Sequence, residues 1–174
     1  GQSDGDAQLF ECVTTVAKAM GDPLKTANHL LLQRGPYTVA AGLDESVDGG
    51  PKVLSGRLID LFDSELRVQQ SITLTPGSRF VLLDLNRVKA PRPRVLASAC
   101  KTLVARQDKR TLVLNVEGVA GTPAVVLVAV PGRVKPVAAL SGAPPPECDF
   151  SPENHLAWIR FTNESIPREL VLNF

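Results

Sequence analysis

Tryptophan, tyrosine and methionine each occur once in this chain of 174 residues, and phenylalanine six times. With so few rings, aliphatic side chains must supply most of the core. Charge of either sign is not in excess, since 19 Lys+Arg face 18 Asp+Glu for a formal net charge of +1. Such a balance offers no general attraction to nucleic acid or to an anionic membrane surface. The one basic cluster, residues 87–94, alternates its cations with Val and Pro and has no interleaved aromatics on which bases could stack. Nucleic acid is therefore not expected as a partner. Cysteine is scarce too: Cys12, Cys100 and Cys148 form no CxxC pair, and only His29 and His155 could supplement them. That spacing excludes the usual structural zinc patterns. It leaves open both a Cys100–Cys148 bridge and three unpaired thiols. No run of about 18 apolar residues exists to span a membrane, and no Gly-x-Ser-x-Gly elbow presents a nucleophile.

What is present is alternation. Across residues 112–139, Leu112, Leu114, Val116, Val126, Val128 and Val130 recur at every second position, interrupted only by short Gly- and Pro-containing turns. A repeat of two means strand, because successive side chains point to opposite faces. Further extended runs are expected at 30–41, 52–62, 67–74, 80–85 and 95–105, the last paired with 111–117, then at 123–130 and 134–140. Residues 155–161 and 169–174 are expected to close the chain as a hairpin. Gly56 marks a bulge, Gly35-Pro36 a turn or bulge, and Thr75-Pro76-Gly77-Ser78 a turn. Residues 42–51 read as an acidic loop and residues 141–147 as a Pro-rich one.

One helix stands apart. Over residues 6–20, Leu9, Val13, Val16 and Met20 fall on one stripe, widened by Phe10 and Ala17. Asp6 is placed to cap its start, Gly21 to end it, and Pro23 to prevent its resumption. A helix this short is marginal in water, so the stripe is expected to pack on this chain or on a separate domain. The reading is an all-β, two-sheet antiparallel β-sandwich with one short N-terminal helix: residues 1–27 as tail and helix packing on the sandwich, residues 28–174 as the sandwich itself. Gly1 and the polar residues after it suggest a mature or truncated terminus from which a leader was removed.

Several segments carry a resemblance. Asn28-His-Leu-Leu-Leu-Gln-Arg-Gly-Pro-Tyr37 resembles the junction at which a bacterial glycoside hydrolase chain leaves its (β/α)-barrel and enters an accessory β-sandwich. Ala41-Gly-Leu-Asp-Glu-Ser46, Leu54-Ser-Gly-Arg-Leu-Ile-Asp-Leu-Phe-Asp63 and Leu74-Thr-Pro-Gly-Ser-Arg-Phe-Val-Leu-Leu-Asp84 resemble the body of that accessory domain. Residues 118–131 and 150–174 are similar to its later hairpins. The resemblance implies a carbohydrate-associated module without its catalytic half, in which residues 6–20 correspond to the last barrel helix. It also implies export from a bacterial cell, as a soluble secreted or periplasmic protein.

The site residues follow from this. Trp158, in Leu156-Ala157-Trp158-Ile159-Arg160-Phe161, should face outward beside Arg160 while Ala157, Ile159 and Phe161 face the core. An outward ring next to an arginine suits a glycan, and equally suits the edge of a core. Asp44 and Glu45 in the acidic loop are the further ligand-binding candidates. Asp60 and Asp63 are the candidates for a structural calcium ion, which takes six to eight oxygen ligands; no other cofactor is expected. Glycosidase chemistry needs two carboxylates across a cleft, which nothing in these spacings provides, so no catalytic residue is assigned. Asn163-Glu164-Ser165 matches a glycosylation acceptor. Two functions are carried forward: a non-catalytic carbohydrate-associated module, and a structural or protein-interaction domain whose partner packs on the helix and a sheet face.

Overall fold

The computed structural model describes residues 4–43 and 49–174. It is an all-β chain with one helix, its strands arranged in three antiparallel sheets. The chain divides into two compact units, Gly1–Phe62 with Arg67–Arg87, and Asp63–Leu66 with Val88–Phe174. The division runs through the strand region, and the helix belongs with the first unit.

Helix α1 spans Asp4–Ala19, so it starts two residues before the expected span of 6–20, and Asp6 lies inside its first turn rather than capping it. Asp4 and Asp6 lie in its first turn and Lys18 in its last, which complements the helix dipole at both ends. Gly21, at φ +79°, terminates it. The Asp22 amide donates to the Ala17 carbonyl at 3.1 Å and the Gly21 amide to that of Lys18 at 3.1 Å. Those two bonds form a Schellman closure, which needs a left-handed residue where Gly21 stands. None of the residues of α1 is buried.

The rest of the first unit is a five-stranded sheet built from β1 (His29–Arg34), β2 (Tyr37–Gly42), β3 (Lys52–Asp60), β4 (Val68–Leu74) and β5 (Arg79–Asp84), in the order β1-β2-β5-β3-β4. Arg34 pairs with Tyr37, so β1 and β2 are joined by the two residues Gly35-Pro36, with Gly35 at the positive φ of a primed hairpin turn. Pro76 and Gly77 (φ +78°) make the β4–β5 turn, closed by the Ser78 amide on the Thr75 carbonyl at 3.0 Å. Gly42 passes so close to this turn that a Cβ would lie 1.9 Å from the Thr75 carbonyl oxygen. The register of β3 against β4 shifts between Ser55 and Leu58, at the bulge expected at Gly56. Ala40, Leu58, Ile72, Leu74 and Leu82 form a small core.

The second unit is the sandwich. Its strands are β6 (Arg94–Ser98), β7 (Lys101–Gln107), β8 (Thr111–Glu117), β9 (Pro123–Ala129), β10 (Val137–Leu140), β11 (Glu147–Ser151), β12 (Leu156–Thr162) and β13 (Arg168–Asn173). One sheet has the order β10-β13-β8-β7 and the other β11-β12-β9-β6. The core joins Leu112, Leu114 and Val116 of β8 and Leu170 and Leu172 of β13 to Val126 and Val128 of β9 and Ala157 and Ile159 of β12. The alternating stretch thus supplies an interior strand to each sheet, β8 to one and β9 to the other.

Two strand assignments expected from sequence are corrected, while the expected pairing with residues 111–117 holds for β7. Residues 95–105 are not one strand: the chain breaks at Ala99-Cys100, β6 pairing with β9 and β7 with β8. The Ser98 hydroxyl donates to the Cys100 carbonyl at 2.9 Å and accepts from the Cys100 amide at 3.2 Å, which pins the corner where the chain changes sheet. Nor do the last two strands form a hairpin, because β12 pairs with β9 and β11 whereas β13 pairs with β8 and β10. Their connection crosses between sheets and carries Asn163, 3% exposed. Its Nδ2 donates to the Thr122 hydroxyl at 3.1 Å, and the Gly121 amide donates to its carbonyl at 3.0 Å. The glycosylation motif read at Asn163 is therefore closed to modification in the folded chain.

Candidate functional site

Three surfaces carry chemistry. The first is a groove of about 320 Å³ on the sheet of the first unit, within the range of small-ligand sites. Residues opposite one another in an antiparallel pair share a face. Gln33 pairs with Thr38, Thr38 with Leu82, and Leu58 with Asp84, which brings these five side chains to one side of the sheet. Buried Leu58 and Leu82 make the floor. At one end the Arg87 Nε donates to Asp84 Oδ2 at 3.1 Å. The Gln33 amide oxygen, turned toward the same guanidinium, accepts from Arg87 Nη1 at 2.6 Å and Nε at 2.9 Å. Arg87 is half exposed, so the ion pair is worth well under about 1 kcal/mol, and its role is to hold a polar corner beside an apolar floor. Sequence reading missed this groove. The alternation of Leu31 and Gln33 with Thr38 across the hairpin is the signal that could have placed it, whereas Arg87 stands in sequence only as the first cation of the basic cluster at residues 87–94.

The second surface is the outer side of β12 in the second unit. Alternation holds: Ala157, Ile159 and Phe161 face the core, and Leu156, Trp158 and Arg160 face the other way. That outer side is covered, because Leu156 and its neighbour Leu127 are buried. The Trp158 Nε1 donates to the Leu66 carbonyl at 3.1 Å. Leu66 is itself buried and sits at φ +50° at the end of a turn whose first carboxylate, Asp63, accepts from the Glu65 amide at 3.0 Å. The indole thus clasps the segment Asp63–Leu66. Arg160 is held between carboxylates, bonded to Asp149 and 3.4 Å from Glu65.

Asp60, in the first unit, accepts from the Phe62 amide at 3.1 Å. It and Asp63 both serve as turn caps. Among the described residues no group of three or more His, Cys, Asp or Glu side chains is placed to hold a metal ion. Asp44 and Glu45 lie outside the described residues. The three cysteines are free. Burial pushes the Cys148 thiol above its ordinary value, with Lys135 opposing that shift and Asp149 adding to it; that thiol is therefore poorly nucleophilic. His155 sits in a left-handed turn with Nδ1 3.1 Å from the Gly132 carbonyl, and His29 Nδ1 lies 3.1 Å from the Asn28 amide oxygen.

The third surface is α1. Leu9, Phe10, Val13, Val16 and Met20 are between 45% and 80% exposed. They form one face, while Thr14 and Thr15 on the other side turn their hydroxyls onto the Phe10 and Glu11 carbonyls at 2.7 and 2.9 Å. None of the helices among the described residues is long and apolar enough to cross a membrane. No protein-family model, curated protein or solved structure matches the chain.

Proposed function

We propose that this chain is a non-catalytic interaction module, in which the strand units are the scaffold and α1 is the element a protein partner covers. The observation that carries the reading is the uncovered stripe of α1, five large apolar side chains on one face with no buried residue in the helix. A 16-residue helix is near the lower limit of stability in water, and contiguous exposed apolar surface on a folded protein marks an interaction site. The test is the double variant Val13→Asp, Val16→Asp, followed by thermal unfolding at a strand-sensitive far-ultraviolet wavelength. Both residues being outside the cores, the midpoint should move by less than about 2 °C. A fall of about 10 °C or more would mean that the stripe is core of this chain, and would end the reading.

The groove of the first unit favours a second reading, a carbohydrate-associated module exported to the periplasm or medium. Gln33, Thr38 and Asp84 around an apolar floor suit hydrogen bonding to sugar hydroxyls. Oligosaccharides titrated into ¹⁵N-labelled protein should then shift the amides of Thr38 and Ser55. Unchanged amides at about 10 mM sugar, a concentration that would reveal even millimolar affinity, would remove it.

A further inference from the structure

Resting on the interaction-module reading, we infer that the partner of α1 is α1 of a second copy of this chain, paired antiparallel about a two-fold axis. The stripe advances by four, three and four residues from Leu9 through Val13 and Val16 to Met20, the d-a-d-a spacing of a coiled-coil seam. An antiparallel partner makes that seam its own complement. Leu9 meets Met20 and Val13 meets Val16, each contact occurring twice, as a two-fold interface requires.

The flanks agree. On one side of the seam Phe10 lies opposite Ala17, and on the other Cys12 lies opposite Ala19, so each larger side chain meets an alanine. A parallel pair loses this match. It also sets the two acidic first turns side by side with their dipoles aligned, whereas the antiparallel pair places Asp4 and Asp6 of one helix toward the end that carries Lys18 of the other. The pair is short, about 24 Å of helix, and an interface below about 1,200 Å² belongs to the weak, transient class. Association is therefore expected at high protein concentration and is best captured covalently.

Cys12 is exposed and free, which supplies the probe. Sedimentation velocity on the full chain up to about 500 µM, where weak pairs assemble, should show a concentration-dependent dimer. Val13→Asp should weaken it at least tenfold with no change in the far-ultraviolet spectrum. In Ala19→Cys, mild oxidation should bridge Cys12 of one copy to the introduced thiol of the other, identified by mass spectrometry of the linked peptides. These two positions lie seven residues apart on one helix, about 10 Å along its axis, too far to join within a chain. Bridging of Cys12 to the introduced thiol of Ala17→Cys, and not to that of Ala19→Cys, would show a parallel pair and overturn the proposal. So would a monomer at every concentration; if the aspartate double variant then leaves the unfolding midpoint unchanged, self-pairing alone fails and the interaction-module reading stands. A monomer whose midpoint collapses in that variant means that α1 folds onto its own chain, for instance over the exposed Leu30, Leu32 and Val39, and overturns both.

Discussion

Gly118 shows how a single side-chain absence sets the crossing between sheets. A Cβ there would lie 2.4 to 2.7 Å from the amide carbon, oxygen and nitrogen of Asn163. Asn163 has no room to retreat, because it is 3% exposed and tied to Thr122 through both backbone and side chain. Among the described residues its Oδ1 has no hydrogen-bond partner. Gly118→Ala should therefore lower unfolding stability by about 2–3 kcal/mol, measured by urea denaturation. Stability within about 0.5 kcal/mol of the parent, which is ordinary for an unconstrained surface site, would show that the loop yields. The residue scale is also where sequence reading divided. The outward direction of Trp158 was legible, because alternation along β12 fixes it. The partner of its indole was not: the Leu66 carbonyl lies 92 residues earlier in the chain, and a backbone acceptor has no sequence signature. Arg160 is the same case, its charge satisfied by carboxylates from two other segments.

At the scale of elements, local chemistry was legible and pairing only in part: the pairing with residues 111–117 was expected and holds for β7, whereas the crossings between sheets were not expected. Gly35-Pro36, Gly56, residues 75–78 and Gly21 each impose a backbone conformation through their own covalent structure, so turn, bulge and stop are visible without neighbours. Pairing is decided by which apolar faces meet, which is why β6 and β7 looked like one strand and β12 and β13 like a hairpin. The true hairpin of β7 and β8 depends on Asp108. Its Oδ1 accepts from the Arg110 and Thr111 amides, both at 2.8 Å. These bonds, with Arg106 adding a smaller attraction, hold the carboxyl below its ordinary value. The ionised form is favoured by folding, so its contribution is fully present above the ordinary carboxylate pKa and is lost as pH falls through the depressed one. Asp108→Ala should speed amide exchange at Arg110 and Thr111 at neutral pH and have little effect in strong acid. Equal effects at both pH values would mean that the turn does not depend on the charge.

Across the whole chain, the composition decides where stability resides. Few aromatics meant an aliphatic core, and the second unit meets that expectation with Leu112, Leu114, Leu170, Leu172 and Ile159 all fully buried. Its two sheets draw their strands from opposite ends of the segment: β13 lies between β10 and β8, and β12 between β11 and β9. Neither sheet can complete from a local hairpin, so chain must be brought together over long separations before the core rewards it. Topologies of this kind refold on about the millisecond-to-second scale. Trp158, the only tryptophan, reports this directly, since its indole reaches Leu66 only when β12 and the Asp63–Leu66 segment have both arrived. Its fluorescence after dilution from urea should recover on that slow scale. Leu114→Ala should remove about 2–5 kcal/mol from the transition it reports, because both faces of the sandwich close on that side chain. Trimming a stripe residue, Val13→Ala, should leave the same transition within about 0.5 kcal/mol, because among the described residues none of α1 belongs to either core. A sub-millisecond recovery, or a Val13→Ala effect as large as that of Leu114→Ala, would contradict a fold whose stability lies in its sheets and not in α1.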